Sequence, residues 1–100
     1  MRRDDVVNTV KENMEKIKSF GVKRVGIFGS VSRDEADENS DIDFVVEFEK
    51  GKATLSNFTG LTDFLEDLFQ RDVDILTPRG VESIRIKSVK ERIKREILYV

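Results

Sequence analysis

The chain has 100 residues, of which 38% are hydrophobic and 38% charged, with a net charge of −2. That length suits one domain with one core, the apolar fraction is too high for a disordered chain, and the slight acidic balance gives no general affinity for nucleic acid. The absence of Cys and His excludes disulfides, thiolate or imidazole catalysis, and zinc held by those side chains.

Residues 4–19 read as an amphipathic helix, with Val6, Val10, Met14 and Ile17 at helical spacing and Gly21 as its stop. The segment VKRVGIFGS then predicts a short strand over 24–28, ending at Gly29, with Ser30 placed to cap a short helix through Glu35. The polar run DEADENS is a loop, and DIDFVV is the second strand. A turn at Glu49–Lys52 leads to a second amphipathic helix marked by Leu55, Phe58, Leu61, Leu65 and Leu68, which tolerates Gly60. DVDIL is the third strand, stopped by Thr77-Pro78. From Ser83 onward, Ile86, Val89, Ile93 and Ile97 mark a final helix, and Leu98-Tyr99-Val100 is an apolar end. The order α-β-α-β-α-β-α predicts an α+β fold, a small mixed sheet flanked by helices in a single domain over 1–100. No apolar run approaches the ~20 residues that span a bilayer, and MRRDD does not open a signal peptide. A cytoplasmic location is therefore expected.

The chemistry concentrates in GSVSRDEADENSDIDFVVEF. On a regular strand, Asp41 and Asp43 point the same way with Cα atoms about 6.6 Å apart. They then repel by roughly 3 kcal/mol at an effective dielectric near 20. Something must offset that repulsion. A calcium loop is excluded: Asp37, Asn39 and Asp41 imitate its first ligands, but Ile42 and Phe48 stand where it needs Gly and Glu. A site for metal-assisted phosphoryl or nucleotidyl transfer fits better, because carboxylates there hold Mg²⁺ against phosphate oxygens. Gly29-Ser30 supplies a turn that phosphates can approach closely. Asp74 supplies a third carboxylate on another strand, with Val73 and Ile75 facing the core.

Gly29-Ser30, ten intervening residues and Asp41-Ile42-Asp43 resemble the GSx10DxD signature of the DNA polymerase β-type nucleotidyltransferase superfamily. GIFGSVSRDEADENSDIDFVVEF, VDILTP and the terminal REILYV are similar to its minimal nucleotidyltransferases, so the resemblance spans nearly the whole chain. One departure is Asp34, where the family more often has Gly. Those proteins are antitoxins whose partners are HEPN-domain ribonuclease toxins. The resemblance implies that Asp41, Asp43 and Asp74 ligate one or two Mg²⁺ ions, with Mn²⁺ as an alternative. It also implies that Asp74 helps deprotonate the acceptor hydroxyl, and that Gly29 and Ser30 hold the β- and γ-phosphates of ATP. The expected reaction is transfer of AMP to a tyrosine hydroxyl of the toxin.

Other residues have blander readings beside the sharp ones. Arg33, about one turn after Ser30, either reaches a phosphate or pairs with Glu35, Asp37 or Glu38. Glu47 is a solvated strand end before it is a neighbour of the metal site, and Asp72 a cap or surface residue. The last helix carries Arg85, Lys87, Lys90, Arg92, Lys94 and Arg95 interleaved with Glu82, Glu91 and Glu96, the pattern of a solvated face. Phe58, Phe64, Leu65, Leu68 and Phe69 are expected in the core, with one or two left exposed for a partner, and Tyr99 is expected to pack. The alternative to an enzyme is an antitoxin that neutralises its partner by binding and occlusion. Transfer to RNA or an antibiotic is a weaker third reading, since the chain shows neither an added acceptor domain nor a basic surplus.

Overall fold

The expected first helix is broken at Asn13. The computed structural model, which describes Met1–Val100, has helix α1 at Arg3–Glu12 and helix α2 at Met14–Lys18. The Asn13 side-chain amide donates to the Thr9 carbonyl at 2.8 Å, competing with the helical backbone for its acceptor. Val6, Val10 and Ile17 nevertheless remain on one buried face.

Strand β1 (Val22–Phe28), strand β2 (Ile42–Phe48), strand β3 (Val73–Leu76) and a short strand β4 (Leu98–Tyr99) form one sheet in the order β3-β2-β1-β4. β1 is antiparallel to β2 and β4, while β2 and β3 run parallel. The parallel pair needs a crossover. Helix α4 (Leu55–Phe69) supplies it, capped by the Thr54 hydroxyl, which accepts from the Asn57 N–H. The mixed sheet flanked by helices is the architecture that the sequence predicts. Two elements are additional. Thr77 and Pro78 end β3 as expected, but they also start helix α5 (Pro78–Glu82), with Thr77 at the N-cap accepting from Gly80 N–H and Pro at its first position. The final helix, α6 (Lys87–Glu96), begins four residues later than the expected start at Ser83. The apolar end becomes β4, tied further by the Val100 N–H donating to Val25.

Alternation along the strands gives the sheet two packed faces. Val25, Ile27, Ile42, Phe44, Val46 and Val73 pack with α1, α2 and α4 in the main core, and Ile75 joins its edge. Phe28 and Val45 face the other way, against Val81 of α5 and Ile93 of α6. Leu61 and Leu65 are fully buried, whereas Leu55 is 82% exposed and Phe58 lies on the surface. The second face is the one that carries the acidic residues of β2 and β3. No helix is long and apolar enough to cross a membrane.

Candidate active site

Strand register brings the first two carboxylates together. Asp43 on β2 stands opposite Asp74 on the parallel neighbour β3, and opposite Phe28 at the end of β1. Neither aspartate reaches its place through a loop. Burial pushes the Asp43 carboxyl up to about 6, helped by the charge of Asp74, a hydrogen bond between the two carboxyls and the charge of Asp41. A carboxylate buried beside another of like charge resists ionisation.

Asp41 is placed differently from the expectation. β2 begins at Ile42, so Asp41 is exposed on the approach to the strand rather than within it. The cause is the preceding turn. Asp37 accepts from the Asn39 N–H at 2.8 Å and the Ser40 hydroxyl at 3.1 Å. Those bonds hold its carboxyl below the usual range. Arg71 then closes the loop by donating to the carbonyls of Asp37 at 2.6 Å and Ser40 at 3.1 Å. The chain enters β2 only at Ile42, whose N–H donates to Asp72.

The turn after β1 faces the same pair. Gly29 has φ +74°, and a Cβ there would lie 2.2 Å from Asp43 Oδ2. Only glycine fits. The following helix α3 (Gly29–Ser32) is shorter than expected, and Ser30 is not its cap: Phe28 holds that position in extended conformation and Ser30 lies inside the first turn. The helix stops because Asp34 adopts a left-handed φ of +59°. The Glu35 N–H returns to Ser30 and the Asp34 N–H to Val31, a Schellman closure. Asp34 therefore occupies the conformation for which glycine is the usual choice.

Arg33 leaves this closure toward carboxylates. It donates to Glu35 at 3.2 Å and to both Glu96 oxygens at 3.0 Å; of these only Glu35 is expected from sequence. Glu47 is bound by Lys23 at 3.6 Å and Arg24 at 3.5 Å, which takes it away from the site. Other charges of the last helix pair within it or with α5, as in Lys94–Glu82 at 2.6 Å and Lys87–Glu91 at 4.0 Å. Tyr99 packs beneath the Arg24 guanidinium, 3.9 Å from its ring centre.

The donor set suits a hard cation. Every available ligand is an oxygen, and a divalent charge beside Asp43 and Asp74 would relieve the like-charge repulsion that helps raise the Asp43 carboxyl. A ready-made cage of three acidic side chains is not formed: Asp43 and Asp74 are adjacent and Asp41 stands off on its loop.

A mixed sheet whose strand ends present a glycine turn against paired carboxylates defines a nucleotidyl-transfer fold. The nucleotidyltransferase domain family matches residues 7–100, and the chain belongs to that family: it is a nucleotidyltransferase. It is similar to the protein adenylyltransferase MntA of Thermococcus cleftensis, with 37% identity over 81% of this chain and 77% of the relative. A solved structure provisionally described as a minimal nucleotidyltransferase shares 34% identity at a TM-score of 0.77, covering 98% of this chain and 95% of the other. A toxin–antitoxin crystal structure with AMP-PNP matches at a TM-score of 0.62 and 17% identity, over 99% of this chain and 72% of that one. This last likeness is one of fold.

Proposed function

We infer that the chain is a Mg²⁺-dependent protein adenylyltransferase acting as an antitoxin. It transfers AMP from ATP to a hydroxyl, a tyrosine of a cognate HEPN-domain ribonuclease toxin, and thereby silences that partner. The observation that carries this reading is the Asp43–Asp74 pair set against the Gly29 turn, where nothing larger than glycine fits. The name of the Thermococcus cleftensis relative supports the protein acceptor, and AMP-PNP in a structure of the same fold supports ATP as donor.

In this reading the backbone amides of Gly29 and Ser30, with the Ser30 hydroxyl, hold the β- and γ-phosphates, and Arg33 adds a cationic contact. Asp41, Asp43 and Asp74 would hold one or two divalent ions, Mg²⁺ or Mn²⁺, which supply charge neutralisation at the phosphates and a more acidic acceptor hydroxyl. The acceptor oxygen bonds to the α-phosphorus, and the bond from that phosphorus to the oxygen bridging toward the β-phosphate breaks. Pyrophosphate leaves in line. Asp74 accepts the hydroxyl proton and passes it to solvent.

Label transfer tests the reading. Wild type and Asp43→Ala are incubated with Mg²⁺, the product of the adjacent gene and ATP labelled at the α- or γ-phosphate. A protein band labelled from the α position only, and by wild type only, is the expected result. A tightly co-purifying partner that takes no label from any nucleoside triphosphate would replace the enzyme with an occluding antitoxin.

A further inference from the structure

The guanidinium of Arg33 has three nitrogens, and the fold uses two. Nε donates to Glu35, and Nη1 to both carboxylate oxygens of Glu96, which leaves Nη2 over. Glu96 differs from an ordinary surface partner. It ends α6, lies 63 residues from Arg33 along the chain, and its side chain is only 16% exposed. The backbone joins the same two segments, because the Ser32 hydroxyl donates to the Glu96 carbonyl. From the other side, the Arg3 N–H donates to Asp34 at 2.9 Å and Arg3 Nη1 to the Ser32 carbonyl at 3.3 Å. The short helix α3 is therefore held by residues from both ends of the chain, with Arg33 emerging between them.

Carboxylates held at Nε and Nη1 fix the plane of a guanidinium and so the direction of its remaining donors. We propose that Glu96 is a positioning residue, which orients Arg33 so that Nη2 meets the triphosphate at the Gly29-Ser30 turn. This rests on the nucleotidyl-transfer reading of the site.

The test is calorimetric titration of ATP with Mg²⁺ into wild type, Glu96→Gln, Glu96→Asp, Arg33→Ala and the double variant Arg33→Ala/Glu96→Gln, with a thermal melt of each. Glu96→Gln is expected to weaken ATP about ten-fold, the scale of one charge-assisted hydrogen bond. Glu96→Asp should recover part of that loss, and Glu96→Gln should add nothing in the Arg33→Ala background. Inorganic triphosphate as the probe should show the same ratios, since the contact is to phosphate. Unchanged ATP affinity in Glu96→Gln overturns the proposal, and so does an equal loss with and without Arg33. Should Glu96→Gln fail to fold, Arg33→Lys decides: a lysine has one nitrogen, cannot both pair with Glu96 and present a second donor edge, and must bind ATP more weakly. Arg33→Lys with wild-type affinity overturns the idea. A wild type that binds no nucleoside triphosphate removes the parent reading and this one together, whereas a binding wild type indifferent to residue 96 removes this one alone.

Discussion

At Asp43, stability and the proposed function oppose each other. Its carboxyl titrates near 6 in the folded chain against 3.8 for an ordinary aspartate, so between those values the native state binds more protons than the unfolded one. Stability without ligand must therefore fall as pH rises from about 4 to about 6, then level off. Such a displacement implies ~3 kcal/mol, and about 2 kcal/mol is expected for a group with partial access to solvent. Asp43→Asn removes the titrating charge. Without metal or nucleotide at pH 7.5, this variant should melt roughly 8 °C above wild type, at ~4 °C per kcal/mol for a chain of this size. Its excess stability should shrink below pH 5. In saturating Mg²⁺ and ATP the order should reverse, because wild type gains binding energy that the variant lacks. Melts across pH, with and without ligand, check all three statements; a variant less stable than wild type at pH 7.5 without ligand contradicts the repulsion. The residues of this site were legible because their signals are local. A glycine before a serine at a strand end, and aspartates beside β-branched runs, announce a turn and two strands without knowledge of the rest. Asp34 stood out as a departure from the family's glycine, and its left-handed φ now explains why glycine is favoured there. Arg71 and Glu96 carried no such signal, since each acts on a segment 31 to 63 residues away.

At the scale of elements, propensity and periodicity located the three longer strands and helix α4 to within two residues. They failed where an element is short or where one residue serves two purposes. Thr77-Pro78 is a stop for β3 and a start for α5, and the first role masks the second. β4 has only two residues, and nothing in Leu98-Tyr99 distinguishes an edge strand from a loose apolar tail until β1 is there to receive it. Helix α5 also packs Val81 beneath β2, so its cap should matter to the whole chain. Thr77→Ala removes the acceptor for the Gly80 N–H and should lower stability by about 1 kcal/mol, with Thr77→Ser recovering most of it. Urea denaturation measures both, and a neutral Thr77→Ala would mean that tertiary packing alone sets the start of α5.

Over the whole molecule, one sheet carries both the core and the chemistry. Phe44 and Asp43 are neighbours on β2, one buried in the main core and the other facing Asp74. Weakening the core must therefore act on the site by way of the strand register. Leu65 on α4 is fully buried, and Leu65→Ala should cost 2–5 kcal/mol, about 3 being typical, out of a total of roughly 5–15 kcal/mol. Nucleotide binding and aromatic circular dichroism should then be lost over the same temperature range. A binding signal that disappears well before the fold would show a site less tightly coupled to the sheet than the register implies.

The clasp between Arg33 and Glu96 has a consequence in time. The two are separated by 63 residues, so at a synthesis rate of about 5–20 residues per second Arg33 is added to the chain roughly 3–13 s before Glu96. During that interval β1 has no β4 beside it, and Arg33 has none of its α6 contacts. A chain interrupted between Asp74 and Glu96 holds every aspartate of the candidate site and still lacks the carboxylate that pairs with Arg33, so on the proposed reading a broken message yields a fragment whose arginine is not yet oriented.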